Sequence, residues 1–145
     1  MDDYRHLLLA VDLAQDSLEV VERARRLRDQ CAARLSLVHV VEYVPMAYAG
    51  DLVLPEDFNL EQELIEVARR RLEGLAEDLD VPVTDRHIVS GSAAREILRI
   101  VHDQGVDLLV VGNRGRHGLV NLFGSTADAV LHQAGCDLLA VRIRD

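Results

Sequence analysis

The chain has 145 residues, 49% of them hydrophobic, which suits one domain with an ordinary core and leaves no room for a second. Its formal charge of −9 and pI near 5.0 argue against a nucleic-acid partner, because phosphate backbones bind net positive surfaces. No stretch approaches transmembrane length, the polar opening Met1-Asp2-Asp3-Tyr4-Arg5 leads directly into a strand, and Cys31 and Cys136 lack CxxC spacing. The expectation is a cytoplasmic protein with reduced thiols and no membrane partner.

In chain order, HLLLAV from His6 to Val11 reads as a first buried strand that ends in a loop at Asp12. Asp16 stands at capping-box distance from Glu19, and Leu18, Val21, Ala24, Leu27 and Cys31 recur at helical spacing. Arg34 to Val41 reads as a second strand. The least regular segment runs from Glu42 to Phe58 and holds Pro45, Pro55, Tyr43 and Tyr48; a loop of that length is more often functional than filler. Leu60, Leu64, Val67, Ala68, Leu72, Leu75 and Leu79 predict a second long helix, stopped before Pro82. Val83 to Val89 predicts a polar third strand near a sheet edge, and Gly91 turns the chain. Ser92 then caps a third helix with Ile97, Leu98 and Val101 inside. Beyond Gly105, the run from Val106 to Val111 predicts a strand buried on both faces and broken by Gly112, and Asp137 to Ile143 predicts a fifth strand. Strands alternating with helices require crossover connections. The expected fold is therefore one α/β domain over residues 1–145, a parallel sheet with helices on both faces. Ligands on such sheets bind beyond the carboxyl ends of the strands, where strand order reverses.

Residues 106–131, VDLLVVGNRGRHGLVNLFGSTADAVL, carry the strongest functional signal. Gly112, Gly115, Gly118 and Gly124 each remove a Cβ, so that backbone N–H groups can approach a ligand closely. Ser125 with Asp128 forms an S-x-x-D capping pattern and opens a helix with Ala127, Val130, Leu131 and Ala134 on one face. A helix amino end behind a glycine-rich turn favours phosphate. A bare G-x-x-G pair is expected about once by chance in a chain of this length; a third glycine followed by two hydroxyl residues, between strand and helix, is rarer by roughly two orders of magnitude. A plainer reading competes: Gly112 ends a strand, and Gly124 with Ser125 starts a helix. Neither a Walker A loop nor the G-x-G-x-x-G fingerprint is present.

With these residues in place, the chain resembles the universal stress protein family over essentially its whole length. The matching runs are HLLLAVD, LSLVHV, VDLLVVGNRGRHGL with GST beyond it, and the ending CDLLAVRIRD. The resemblance implies a Rossmann-like fold, similar to adenine nucleotide alpha hydrolases, with a five-stranded parallel sheet in order 3-2-1-4-5. It also implies a homodimer joined through the C-terminal strand, Asp137 to Ile143. Part of the family binds ATP through a pattern resembling G-x2-G-x9-G-[ST]. Here Gly112 and Gly115 match its first half and Gly124 with Ser125 its second, but eight residues lie between Gly115 and Gly124 where the family has nine. One residue fewer moves donors by up to about 3 Å if nothing relaxes, yet the glycines keep the segment compliant. The family branch without nucleotide typically lacks these glycines, whereas the closing VRIRD looks like that branch.

Carried over by position, Ala10, Val11 and Asp12 resemble residues that hold adenine and ribose, and Val40 the strand-end residue against the base. Val111 and Gly112 would flank the sugar and first phosphate; Gly115, Gly124, Ser125 and Thr126 would face the triphosphate. The implied cofactor is ATP, AMP or ADP, with Mg2+ accompanying it. Asp12 either binds that magnesium or hydrogen-bonds its own turn. Arg114 and Arg116 either add charge near the loop or stand exposed to solvent, and Asp128 would repel a phosphate if it faced the site. Six histidines, at 6, 39, 87, 102, 117 and 132, show no metal-ligand spacing, so no metal site is expected within the protein. His39 alternates out of phase with Val38 and Val40 and reads as an ordinary core or crevice residue; His117 lies in the loop. Arg69, Arg70 and Arg71, offset by Glu66 and Glu73, read as a solvated face. No nucleophile elbow surrounds Ser92 or Ser125, so no catalytic residue is assigned and the chain is not read as an enzyme. Three functions follow in order: a nucleotide-binding stress regulator acting through unknown protein partners, a homodimeric interaction protein without nucleotide, and a weak ATP hydrolase.

Overall fold

The structure, a computed structural model, describes residues 4–11, 18–42, 59–113 and 135–143. Five parallel strands form one sheet: β1 (His6–Ala10), β2 (Arg34–Val41), β3 (Arg86–Ser90), β4 (Leu108–Asn113) and β5 (Asp137–Arg142). Their order is β3-β2-β1-β4-β5, as the resemblance implies. Three helices are described, α1 (Leu18–Cys31), α2 (Leu60–Asp78) and α3 (Ala93–Gln104). The expected last helix, with Ser125 at its start, lies outside the described residues, as do Asp16 and the prolines and tyrosines of the 43–58 segment.

Two cores sandwich the sheet. On one face Leu7, Leu9, Leu35, Leu37, Leu108 and Val110 pack against Val20 and Ala24 of α1 and Ala68, Leu72 and Ala76 of α2. On the other, Leu8, Ala10, Val38, Leu109 and Val111 pack against Ala93, Ile97, Ile100 and Val101 of α3. Every side chain of β1 is buried, as a central parallel strand with helices above and below requires.

Several element details differ from the sequence reading. The buried stripe of α1 runs through Val20 and Ala24, and Leu18 is 78% exposed. In α2, Leu64 and Val67 face outward while Ala68, Leu72 and Ala76 face in, because the small alanines let the helix approach the sheet. Asn59 caps α2, its side chain accepting from the Gln62 amide at 3.1 Å. Val83–Asp85 form a 3-10 turn ahead of β3, closed by the Asp85 amide on the Pro82 carbonyl, and Val83 is 76% exposed. Strand β4 starts at Leu108, after Asp107, and runs through Gly112, which sits opposite Val141 of β5 instead of ending the strand.

The amino edge of the sheet is closed by polar bonds. Both carboxylate oxygens of Asp107 accept from the amides of Arg5 and His6, while its own amide and carbonyl bond His6 and Asp137. Beneath α3, His6 is buried; its Nδ1–H donates to the Gln104 carbonyl at 3.1 Å, and Nε2 meets Ser36 Oγ at 2.6 Å. Arg34 binds the buried Asp85 through two nitrogens and holds its carboxyl below the ordinary range. Burial pushes both His6 and His87 below the usual 6.5, and His87 Nε2 is buried with no partner among the described residues.

Both rings fold neutral, while the unfolded chain takes up protons near its ordinary value. Their contribution is complete above pH 6.5 and is lost as pH falls from there toward the lowered folded-state values. Thermal melting should therefore show Tm falling between about pH 7 and about pH 5, with a shallower fall in the His6→Gln/His87→Gln protein. Equal slopes in the two proteins would assign the pH response to other groups.

Candidate functional site

The chain runs β1, β2, β3 toward one side and then returns to place β4 on the other side of β1, so strand order reverses between β1 and β4. At the carboxyl ends of these strands lie five of the residues singled out from the sequence. Val11 and Val40 are half-buried and Gly112 is partly exposed, so these three have surface to offer. Ala10 and Val111 are 6% and 0% exposed and pack with Val40 on the α3 face, while Val11 and Gly112 belong to the opposite face. Asp12, Gly115, Gly124, Ser125 and Thr126 lie outside the described residues, with Arg114, Arg116, His117 and Asp128.

Val11 is committed on both main-chain groups. Its amide donates to the Val38 carbonyl at 2.8 Å, and its carbonyl accepts from His39 Nδ1 at 2.7 Å. What Val11 can give a ligand is therefore its apolar side chain. Gly112 has a packing reason to be glycine: an added Cβ would lie 2.8 Å from Ile143 Cδ1 and 3.2 Å from Val20 Cγ2. Its missing side chain makes room for α1 and the end of β5, on the face away from α3.

The amino end of α3 also comes to this edge. Ser92 makes no side-chain cap bond; the carboxylate of Glu42, the residue after β2, accepts from the Ala93 amide at 2.8 Å. The Gly91 amide donates to the Val41 carbonyl at 3.1 Å, so the end of β2 is tied to the start of α3 twice. That helix end already has its anion. Neither Glu42 nor the His39 bond was singled out beforehand. An acid one residue past a strand is a weak signal, because its partner lies far along the chain.

Among the described residues no group of three or more His, Cys, Asp or Glu could hold a metal ion, and no helix is long and apolar enough to cross a membrane. A groove of about 420 Å³ lies between α1 and the carboxyl half of β5, lined by Glu19, Glu22, Arg23, Arg26 and Leu139 to Arg142.

The model of the Universal stress protein family matches residues 3–142. The chain belongs to that family. It is similar to Universal stress protein A homolog 1 of Coxiella burnetii, at 40% identity over 98% of this chain and 99% of the relative. Universal stress protein A homolog 2 of the same organism is 38% identical over 99% of each. Among solved structures, a universal stress protein in complex with cAMP aligns over 97% of this chain and 98% of its own with a TM-score of 0.60 and 22% identity, a likeness of fold.

For this universal stress protein, Gly112→Ala should cost about 1–2 kcal/mol in urea unfolding, as the Ile143 and Val20 side chains must shift to admit the methyl group. Adding Ile143→Ala should make the Gly112→Ala change cheaper. A cost that is the same in both backgrounds would show that Ile143 is not the obstacle.

Proposed function

We propose that this universal stress protein binds an adenine nucleotide, ATP, ADP or AMP, at the carboxyl edge between β1 and β4, and acts in the cytoplasm as a stress-response regulator through protein contacts. The observation that carries the reading is the apolar carboxyl edge at the strand-order reversal, where Val11 follows β1, Gly112 lies in the neighbouring β4 and Val40 in β2 on the other side of β1, with Gly115, Gly124 and Ser125 further along the sequence. A flat base suits the valines; amides freed by glycine suit phosphates. The complex of a related fold with cAMP supports an adenine ligand. Asp12 either meets a magnesium ion brought by the nucleotide or hydrogen-bonds its own turn. No turnover is assigned.

Native purification followed by denaturation should release adenine nucleotide, or titrated ATP should give heat and raise Tm. If neither occurs, the protein works without nucleotide, as a homodimeric interaction protein.

Homodimer formation through β5 has its own support. β5 is the outermost strand, and Leu138, Leu139 and Ala140 stay half-exposed there. A two-fold antiparallel pairing keeps directly opposite residues on one face of the sheet, so a second copy centred on Leu139 sets Leu138 opposite Ala140 of the partner subunit and Leu139 against its own counterpart. The strand is thus complementary to itself in apolar character. Leu139→Glu, which would bring two like charges together at the two-fold axis, should weaken dimerisation by about tenfold, read by sedimentation. An unchanged dissociation constant in Leu139→Glu would remove β5 from the interface.

A further inference from the structure

We propose that His39 is a positioning residue of the carboxyl-edge site, its Nδ1–H bond to the Val11 carbonyl fixing Val11 where β1 ends. The inference rests on the nucleotide reading for its functional consequence, and on the hydrogen bonds alone for its geometry.

Regular pairing of β1 with β2 ends at Ala10 opposite Val38. One residue later, at Val11, that regular pairing is over. Two bonds hold the chain there, one from the Val11 amide to the Val38 carbonyl and one from the His39 ring to the Val11 carbonyl. The two lie on opposite sides of the Val11 Cα, so together they restrict both flanking peptide planes. A single bond would leave the following peptide free to rotate about ψ of Val11.

The direction of the bond is set by chemistry. A carbonyl oxygen only accepts, so Nδ1 carries the hydrogen. His39 shares a sheet face with Leu37 and Val41, while its chain neighbour Val40 points to the α3 face. Val11 packs on the same face as His39, so this residue of β2 holds the point where β1 ends. A displacement of the Val11 carbonyl would turn the peptide that follows without touching the Val11 side chain. The position needs a donor on the γ-branch of the side chain, which Asn supplies at the place of Nδ1 and Gln supplies one bond farther out.

The test compares His39→Leu, His39→Asn and His39→Gln in the full chain. In the free protein, amide exchange at Val11 should accelerate about tenfold in His39→Leu and stay near wild type in His39→Asn. ATP affinity should fall about tenfold in His39→Leu and recover to within a few-fold in His39→Asn, with His39→Gln in between and the dimer dissociation constant unchanged throughout. Unchanged Val11 exchange in His39→Leu overturns the geometric claim whether or not nucleotide binds. Wild-type ATP binding that His39→Leu retains in full overturns the positioning role. Absence of ATP binding in the wild type overturns the nucleotide reading and the functional half of this inference, and the exchange result still decides the geometry. Should His39→Leu fail to fold, the order of Asn over Gln in both readouts carries the test, and equal behaviour of the two overturns the proposal.

Discussion

Strand β1 sets the terms for everything around it. Parallel neighbours flank it on both edges and helices cover both of its faces, so its backbone groups and side chains must all be satisfied inside the protein. Leu7 to Ala10 meet this demand with apolar packing on alternate faces. His6 cannot. A buried imidazole needs partners for two nitrogens, and it finds them in the last carbonyl of α3 and in Ser36, itself fully buried for the purpose. The same constraint reappears where β1 ends: Val11 no longer has a full strand partner, and β2 supplies one carbonyl and one side chain to complete it.

The two ends of the sheet have opposite characters as a result. At the amino edge, Asp107 gathers the starts of β1, β4 and β5, Arg34 and Asp85 pair, and Tyr4 donates to Asp137 at 2.7 Å. These bonds are intramolecular and mutually saturating, which makes that edge a fastening. At the carboxyl edge the bonds hold the chain from behind while Val11, Val40 and Gly112 keep exposed surface. A closed edge opposite an open one is the arrangement by which a doubly wound sheet presents a ligand site without losing rigidity.

Strand identities and the α/β class were legible because apolar runs and crossover spacing are local signals. Strand order was not contained in periodicity; it came with the family resemblance. The misread details share a cause. Ala24, Ala68 and Leu72 lie inside as read, but the structure turns Leu18, Leu64 and Val67 outward and brings in Val20 and Ala76, since close packing on a sheet rewards small side chains. Val83 read as strand, but Pro82 and the Arg34–Asp85 pair hold that stretch as a turn. Gly112 read as a break, and only the approach of Val20 and Ile143 from distant elements explains why glycine can stay within a strand. Long-range contacts of this kind, like Glu42 on Ala93, leave no mark at short spacing.

A chain of net charge −9 is an unusual host for a polyanion, and the placement of its acids bears on where one could sit. Each described helix carries its own carboxylates at its amino end: Glu19 in α1, Glu61 and Glu63 in α2, Glu96 in α3 with Glu42 reaching across to it. Those helix dipoles are already complemented, so a phosphate competing for them would have to displace a tethered anion at high effective concentration. Charges more than about 8 Å away are largely screened at physiological salt, so the net charge itself decides little. What remains is local supply of unpaired donors. Glycine amides spaced from residue 112 to residue 124 are such a resource in the sequence, which is why the proposed site depends on Gly112, Gly115 and Gly124 rather than on the described helix ends.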